Sequence, residues 1–364
     1  MKFIHTADVH LDSPFATLAN NEIFAQERRL EQRKVLKEMV EYIKENNIPY
    51  FFIAGDLYEQ DYIKISTIEY VNQLFKEIPN TKIFITPGNH DPYIKNSFYK
   101  QFKWNENVHI FTNEIEVIED ENVDIYGYGF NDFYMANKCE QIHVKNKEKV
   151  NILITHGSLD SGKEENKEYN PLTTKELRNL GFDYVALGHI HKPSYNDYEG
   201  QYIVYPGSPI SLGFDELGDR GFIEGELNEK TKKLNLKFIK TSAKTFEEYM
   251  LDISEISSED GLIEEINASK FDDNKYYKII LNDMEDYYEK DNYGNYSSSN
   301  GIKNIIRIRN HTQVKYDIND VSSQASLKGL FAKRILEKIN NTEDEQEKSQ
   351  LLNAFEIGMD VLNK

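Results

Sequence analysis

Histidine, aspartate and asparagine residues follow five short apolar runs in the first half of the chain. In order, they are Asp8 with His10, Asp56, Asn89 with His90 and Asp91, His156, and His189 with His191. Together they offer imidazole nitrogens, carboxylate oxygens and an amide oxygen, and the single cysteine, Cys139, excludes a thiolate cluster. A mixed nitrogen and oxygen set favours manganese, iron or zinc over magnesium or calcium, which prefer oxygen ligands.

Each motif taken alone has an ordinary explanation. An aspartate after a strand commonly caps the following helix, His156 alone would more often be a core histidine, and Asn89-His90 after Gly88 can be a simple turn. Five independent coincidences at equivalent places in successive strand–loop units are needed to explain the whole set in this way. We therefore interpret the residues as one site.

The apolar runs predict strands of a layered α/β domain, because each is short, rich in Ile, Val, Phe or Tyr, and bounded by Gly, Pro or Asp. They cover residues 2–5, 50–54, 82–86, 150–155, 184–187 and 202–205. Apolar residues at helical spacing predict helices at 22–46 and 65–78. In such folds ligands bind beyond the carboxyl ends of the strands, so the polar residues are expected to converge there.

The pattern changes after residue 240, which predicts three domains: 1–240, a small α+β domain at 241–318, and a helix–loop–helix at 319–364. In the second we expect a helix at 246–266 and paired strands at 276–281 and 305–309. A polar run at 291–303, within a Tyr-rich stretch at 283–300, is interpreted as a long loop. Two amphipathic helices, at 324–340 and 345–363, complete the chain.

The net charge of −19 argues against general electrostatic binding to nucleic acid, which depends on Lys and Arg. A site holding two divalent cations and two aspartates keeps a positive charge of its own, so it can still attract a phosphodiester. The polar amino terminus, the low cysteine content and the absence of an apolar stretch of membrane-spanning length lead us to expect a soluble cytoplasmic protein without membrane contact.

The ordered motifs D-x-H, GD, GNHD, H and GHxH resemble those of the calcineurin-like metallophosphoesterases. The resemblance implies an α/β fold in which two mixed β-sheets flanked by helices form a four-layer sandwich. It also implies two divalent transition-metal ions, with Mn²⁺ expected and Fe or Zn as alternatives. One ion would be held by Asp8, His10 and His191, the other by Asn89, His156 and His189, with Asp56 between them.

The same resemblance assigns the catalytic residues. His90 would stabilise the transition state or protonate the leaving oxygen, and Asp91 would orient His90. Two metal ions of this kind lower the pKa of a bound water and position the attacking and leaving oxygens in line.

Further blocks are similar to the SbcD/YhaO group of nuclease subunits. They include residues 5–15 (HTADVHLDSPF), 186–193 (ALGHIHKP) and 205–209 (YPGSP), together with 326–331 and 354–359 in the carboxyl-terminal helices. This implies a DNA exonuclease or endonuclease acting in double-strand-break repair or end processing. The implied partners are DNA, a coiled-coil ATPase of the SMC type that docks on the terminal helices, and a second copy of the chain. The acidic stretch at 283–296 matches no block of that group.

Two other functions remain open from the sequence. A phosphatase or phosphodiesterase acting on a small molecule would use the same metals, and the acidic net charge favours it, whereas the added domain and helices do not. A scaffold without activity would show an incomplete ligand set, but all seven candidate ligands and His90 are present.

Overall fold

A computed structural model describes residues 1–15, 22–160, 168–195, 202–253, 256, 259–282, 305–310, 318–342 and 344–362. The chain divides into two compact units. One contains Met1–Tyr249 and Lys270–Lys278, and the other contains Met250–Ser269 and the carboxyl-terminal helices. The polar run at 291–303 and the Tyr-rich stretch at 283–300 lie outside the described residues. The three predicted domains stay a prediction.

Fourteen strands are found among the described residues. They are β1 (Lys2–Thr6), β2 (Tyr50–Ala54), β3 (Lys82–Thr86), β4 (Val108–Ile110), β5 (Glu116–Glu119), β6 (Val123–Gly127), β7 (Val150–His156), β8 (Tyr184–Gly188), β9 (Ile203–Val204), β10 (Gly221–Leu227), β11 (Leu234–Lys240), β12 (Thr245–Asp252), β13 (Lys275–Asn282) and β14 (Ile305–Asn310).

Eight helices are described in the same residues. They are α1 (Glu22–Glu45), α2 (Ile65–Lys76), α3 (Phe98–Gln101), α4 (Thr174–Leu180), α5 (Glu259–Ala268), α6 (Ile318–Ser322), α7 (Leu327–Asn341) and α8 (Glu345–Leu362). No helix of the described chain is long and apolar enough to cross a membrane.

The first unit is built on two mixed sheets. One has the order β11-β10-β1-β2-β3-β4, in which β1 to β4 are parallel and β10 and β11 run antiparallel. The other has the order β5-β6-β7-β8-β9, in which β6 to β9 are parallel and β5 is antiparallel. A separate three-stranded sheet has the order β12-β13-β14.

Alternation along the central strands produces the layers. In β2, Phe52 lies in a core shared with Ile152 and Ile154 of β7, whereas its neighbour Ile53 packs with residues of α1 and α2 on the opposite face. Successive side chains of a strand point to opposite faces, so one apolar run supplies both cores. On the outer face of the second sheet, Leu153 packs with Leu177 of α4. The expected four-layer sandwich of two mixed sheets flanked by helices is confirmed.

The predicted helix at 246–266 is wrong in its first half. Thr245–Asp252 forms β12, and the helix α5 begins only at Glu259. The acidic residues that suggested a helix form ion pairs with the next strand, Glu247 with Lys275 and Glu248 with Lys278. Opposite charges on neighbouring strands stabilise a sheet. These pairings join distant parts of the sequence, so local periodicity did not indicate them.

The carboxyl-terminal helices pack on one another. Phe355 and Met359 of α8 are buried with Ala332 of α7 and Val321 of α6. Not all of the predicted apolar stripe is covered in this way, because Leu327 of α7 is 69% exposed. These helices therefore form a small core of their own and still present apolar side chains to solvent.

The close contact of the two sheets can be tested at Gly188, the last residue of β8. A Cβ atom at this position would overlap the carbonyl oxygen of Ala54 and the methyl group of Ala7. We expect Gly188→Ala to lower the free energy of unfolding by about 3 kcal/mol, since overpacking against backbone has few ways to relax. Urea denaturation would measure this change.

Gly181→Ala provides the control. Gly181 has a φ of 79° and open space around its Cα atom, so only the backbone conformation is penalised. That penalty is about 1 kcal/mol. Equal losses in the two variants would contradict the close contact at Gly188.

Candidate metal centre

The structure brings all the predicted site residues to the carboxyl ends of the parallel strands. Asp8 and His10 follow β1, Asp56 follows β2, Asn89 to Asp91 follow β3, His156 is the last residue of β7, and His189 and His191 follow β8. The strands come from both sheets. The crevice between the sheets at this edge is therefore where the side chains meet.

The loops that carry these residues adopt a backbone that side chains normally avoid. Asp8, His10, Asp56 and His189 have φ values of 54°, 50°, 52° and 105°. Such left-handed residues persist only where surrounding contacts enforce them, and they concentrate at functional sites. Here Asp8 N donates to Gly55 O at 3.1 Å, and His10 N donates to Asp56 O at 2.9 Å. Paired loops thus hold each other in the strained form.

A helix supports the first loop from behind. The fully buried side chain of Gln32 in α1 donates from Nε2 to the carbonyl oxygens of Val9 at 3.2 Å and His10 at 2.6 Å. These two carbonyls would otherwise be buried without partners, which costs free energy. Gln32 therefore fixes the turn that presents His10.

The first candidate ligand group consists of Asp8, His10 and His191, whose ligand atoms lie within 4.8 Å of one another. Nδ1 of His10 lies 2.8 Å from Glu59 Oε1, and Nδ1 of His191 lies 2.5 Å from Glu216 Oε1. An ionised carboxylate only accepts hydrogen bonds, so both Nδ1 atoms carry hydrogen. A carboxylate behind each imidazole is the arrangement found behind metal-binding histidines.

This hydrogen bonding leaves a lone pair on the Nε2 atom of each ring, and the two Nε2 atoms face each other at 3.2 Å. Two lone pairs at this distance repel, so a proton or a metal cation must lie between them. Asp8 Oδ1 lies 4.0 Å from His191 Nε2 and adds negative charge to the same place. The residues present therefore fit a divalent cation.

A second group surrounds His156, which is fully buried. Its Nδ1 donates to Ala54 O at 2.9 Å, so its Nε2 carries a lone pair. That atom faces two further acceptors, Asn89 Oδ1 at 3.0 Å and Asp56 Oδ2 at 3.3 Å. Asn89 Oδ1 also lies 3.2 Å from His189 Nδ1. Acceptors again converge on one point, as they do in a metal site.

Asp56 lies between the two groups. Its Oδ2 is 3.3 Å from His156 Nε2 and 3.7 Å from His10 Nε2. Its other oxygen, Oδ1, accepts the backbone N–H of His90 at 2.8 Å, which fixes the carboxylate. One carboxylate oxygen is thus within reach of both candidate positions.

The pKa values show how much positive charge the crevice demands. Burial raises the pKa of Asp8 despite the histidines nearby. Burial would also raise the pKa of Asp56, but the charge and hydrogen bond of His156 hold it well below its usual range. Burial lowers the pKa of His156, yet Asp56 and Asp8 raise it to about 9. Protons on histidine supply the compensating charge when no metal does so.

His90 lies at the open side of the centre, with its side chain 46% exposed. Its Nδ1 is 3.0 Å from Glu59 Oε2, so Glu59 holds both His10 and His90. Burial lowers the pKa of His90, but the hydrogen bond to Glu59 and the charge of Asp56 raise it to about 9. The ring of His90 therefore has a different partner from Asp91, the one expected.

Asp91 is fully buried and joins the loops instead. Its carboxylate accepts the backbone N–H groups of Gly88 at 2.6 Å and Leu57 at 2.6 Å, and the hydroxyl of Tyr99 at 2.5 Å. These bonds connect the segment after β2 with the segment after β3. A role of Asp91 in catalysis stays a prediction, and its contacts favour positioning.

Glu59, Glu216 and Gln32 were not recognised from the sequence. Glu59 comes three residues after Asp56, which was a usable signal. Glu216 reaches His191 through a loop 25 residues further along the chain, and no local pattern indicated this contact. Gln32 lies within a helix that reads as an ordinary amphipathic segment.

Comparison with known proteins gives a consistent family. The profile of the family described as Calcineurin-like phosphoesterase matches residues 1–193. That segment is more than half of the 364 residues and contains every candidate ligand. Members of the family use a dinuclear metal site, and the structure shows candidate His/Asp ligand groups in the matched region.

Two relatives are similar over longer stretches. The chain is 28% identical over 235 residues to the uncharacterized metallophosphoesterase YhaO of Bacillus subtilis, covering 61% of this chain and 56% of that protein. The alignment thus spans little more than half of that relative's length. It is also 28% identical over 277 residues to the SbcD subunit of the nuclease SbcCD of Staphylococcus epidermidis, covering 66% of this chain and 69% of that protein.

Among solved structures, one from Thermus thermophilus is 12% identical and covers 65% of this chain and 98% of its own. Its TM-score is 0.38, so this likeness carries no argument about function.

The position of Asp56 between the two groups predicts the behaviour of Asp56→Asn. The amide keeps the shape but loses the charge shared by both candidate metal positions. We expect the affinity for Mn²⁺ at both positions to fall by at least about 100-fold, since loss of an outer contact alone costs 10–100-fold. Isothermal titration calorimetry of the purified protein would measure it.

Asp124→Asn is the matched control, because Asp124 is also buried but pairs with Lys149 away from the centre. Its Mn²⁺ affinity should equal that of the unsubstituted protein. Loss of only one of two binding events in Asp56→Asn would show that this carboxylate serves a single ion.

Proposed function

The chain belongs to the calcineurin-like phosphoesterase family, and on that premise we propose that it is a two-metal DNA nuclease of the SbcD/YhaO type. Hydrolysis of a phosphoester follows from the family. DNA as the substrate is the finer part of the proposal. The observation that carries the chemistry is the convergence of unpaired ring nitrogens and buried carboxylates in one crevice beside an exposed His90.

In this proposal Asp8, His10 and His191 hold one ion, Asn89, His156 and His189 hold the other, and Asp56 contacts both. Mn²⁺ fits the mixed nitrogen and oxygen donors, and Fe or Zn would also fit them. When bound, such ions polarise the phosphate and lower the pKa of a coordinated water. Glu59 and Glu216 keep the Nε2 lone pairs of His10 and His191 directed at the ion by holding Nδ1 in its protonated form.

His90 is the proposed general acid. Glu59 accepts from its Nδ1, so Nε2 is the ring nitrogen that can hold a proton for the leaving oxygen. Its exposure places that proton where a substrate can reach it. Asp91 acts at one remove, by fixing the loop from which His90 projects.

DNA as the substrate is supported by local charge. Lys95, Lys100 and Lys103 are exposed on the segment after His90, and no described carboxylate lies within 4.0 Å of their ammonium groups. Gln60 ties this segment to the centre, because it donates from its backbone to His90 O at 2.9 Å and from its side chain to Asn96 O at 3.3 Å. Such free cations can neutralise phosphates of a longer substrate. The nuclease component among the relatives gives independent support.

A phosphodiesterase acting on a small molecule is the alternative. The net charge of −19 favours it, since a small substrate needs no extended basic surface. It would leave the three lysines without a role in substrate binding.

The two functions can be separated with Mn²⁺, single-stranded and duplex DNA, and a small chromogenic phosphodiester. The nuclease proposal expects Mn²⁺-dependent cleavage of DNA. Replacing Lys95, Lys100 and Lys103 with Ala should lower kcat/KM on single-stranded DNA and flatten its log–log dependence on salt by about 2, since each phosphate contact contributes about 0.7. Cleavage of the small diester reports that the centre is intact.

The control replaces Lys2, Lys230 and Lys233, which are also exposed but lie near the amino end of β1 and on the β10–β11 turn. It changes the net charge equally and should leave DNA cleavage and its salt dependence unchanged. Hydrolysis of the small diester without any cleavage of DNA would contradict the nuclease proposal for the isolated chain.

A coiled-coil ATPase of the SMC type is the proposed partner, and the cytoplasm is the proposed location. The relative that is one component of the nuclease SbcCD supports an assembly of more than one kind of chain. Exposed apolar side chains on the last two helices suggest where the partner binds: Leu327 and Leu330 on α7, and Ile357 and Val361 on α8, are each more than half exposed. A homodimer was also expected, and it stays a prediction.

The docking hypothesis can be tested without disturbing the fold. Ile357→Ser with Val361→Ser changes only exposed side chains, so metal-dependent hydrolysis should persist while co-purification with the ATPase falls at least about 10-fold. Lys333→Ser, also on an exposed position of α7, serves as the control and should co-purify normally. Normal co-purification of the double variant would refute docking on this face of α8.

A further inference from the structure

A short ladder of aromatic rings leads from the candidate metal ligand His189 towards solvent. The ring of Tyr169 stacks on the ring of His189, with centroids 5.3 Å apart and planes inclined by 29°. The ring of Tyr134 packs on Tyr169 at 5.4 Å and 50°. These distances are typical of favourable aromatic pairs. The metal centre therefore continues into an aromatic surface on the His189 side.

The backbone fixes this ladder to the centre. Met135 and Tyr169 form a parallel bridge, in which Met135 N donates to Glu168 O at 2.8 Å and Asn170 N donates to Met135 O at 2.6 Å. Asn170 is fully buried, and its Nδ2 donates to His156 O at 2.8 Å. The strand that ends in a candidate ligand thus also holds the residues that carry the rings.

The outer end of the ladder is open. Tyr134 is 45% exposed and its neighbour Phe133 is 43% exposed, and Ile190, between two candidate ligands, is 39% exposed. Single exposed apolar side chains are common and need no explanation. Here three of them adjoin the centre, and the innermost ring of the series is in contact with a candidate ligand. This continuity indicates a surface that the substrate covers.

We propose that an unpaired nucleobase of the substrate, next to the phosphate being cleaved, stacks on Tyr134 and Phe133. The inference rests on the proposed nuclease function and specifies the form of DNA that the site accepts. Stacking uses the π face of a base, which every base possesses, so it selects no sequence. A base within a duplex has both faces covered by its neighbours. The platform formed by Tyr134 and Phe133 therefore favours single strands and unpaired ends.

The platform can be tested by binding in the presence of Mn²⁺. The probes are a fluorescent oligothymidylate and an abasic chain of equal length, both linked by phosphorothioates that resist cleavage. Fluorescence anisotropy should show that the protein binds the base-bearing chain about 5- to 150-fold more tightly, which corresponds to the stacking of one base. Tyr134→Ala should lose most of this preference, and Tyr134→Phe should keep it because the ring remains.

Equal affinity of the unsubstituted protein for the two probes would overturn the platform, as would a preference that survives in Tyr134→Ala. Cleavage of natural DNA by the same preparation separates this result from a failure of the proposed function. Cleavage with equal probe affinities leaves the nuclease standing and removes only the platform. Equal affinities together with cleavage of the small diester alone would reject both.

Discussion

The structure depends on the need to place positive charge among facing acceptors at the edge of two sheets. His10 and His191 direct lone pairs at each other, and Asp56 brings a buried carboxylate to within 3.7 Å of both His10 and His156. Such groups repel one another in a medium of low dielectric constant unless a cation lies between them. A pair of divalent ions satisfies this requirement in the proposed nuclease, and the surrounding fold can be understood as the support that keeps the acceptors close.

That support explains why so much of the surrounding chain is unusual. The loops after β1 and β2 hold left-handed residues and are joined by their own backbone hydrogen bonds, while Gln32 and Asp91 satisfy the groups that these loops leave open. Gly188 permits the end of β8 to approach Ala54 of β2. Strained backbone and close sheet contact together position side chains more rigidly than an exposed loop could.

The sequence was most informative where local order and spatial order coincide. Buried strands announce themselves as apolar runs, and polar residues at their carboxyl ends must meet at one edge, so Asp8, Asp56 and His156 could be assigned to one place. Contacts made across the chain were not accessible in this way. Glu216 reaches His191 from a separate loop, and Glu247 pairs with Lys275 on a neighbouring strand, which turned an apparent helix into β12.

The most direct test is the anomalous scattering of crystals grown with Mn²⁺. The account predicts two peaks in the crevice, one beside His10 and His191 and one beside His156 and Asn89, with the carboxylate of Asp56 contacting both. A single peak, or manganese bound elsewhere while these side chains keep their present contacts, would contradict the claim that the facing acceptors form a two-metal centre.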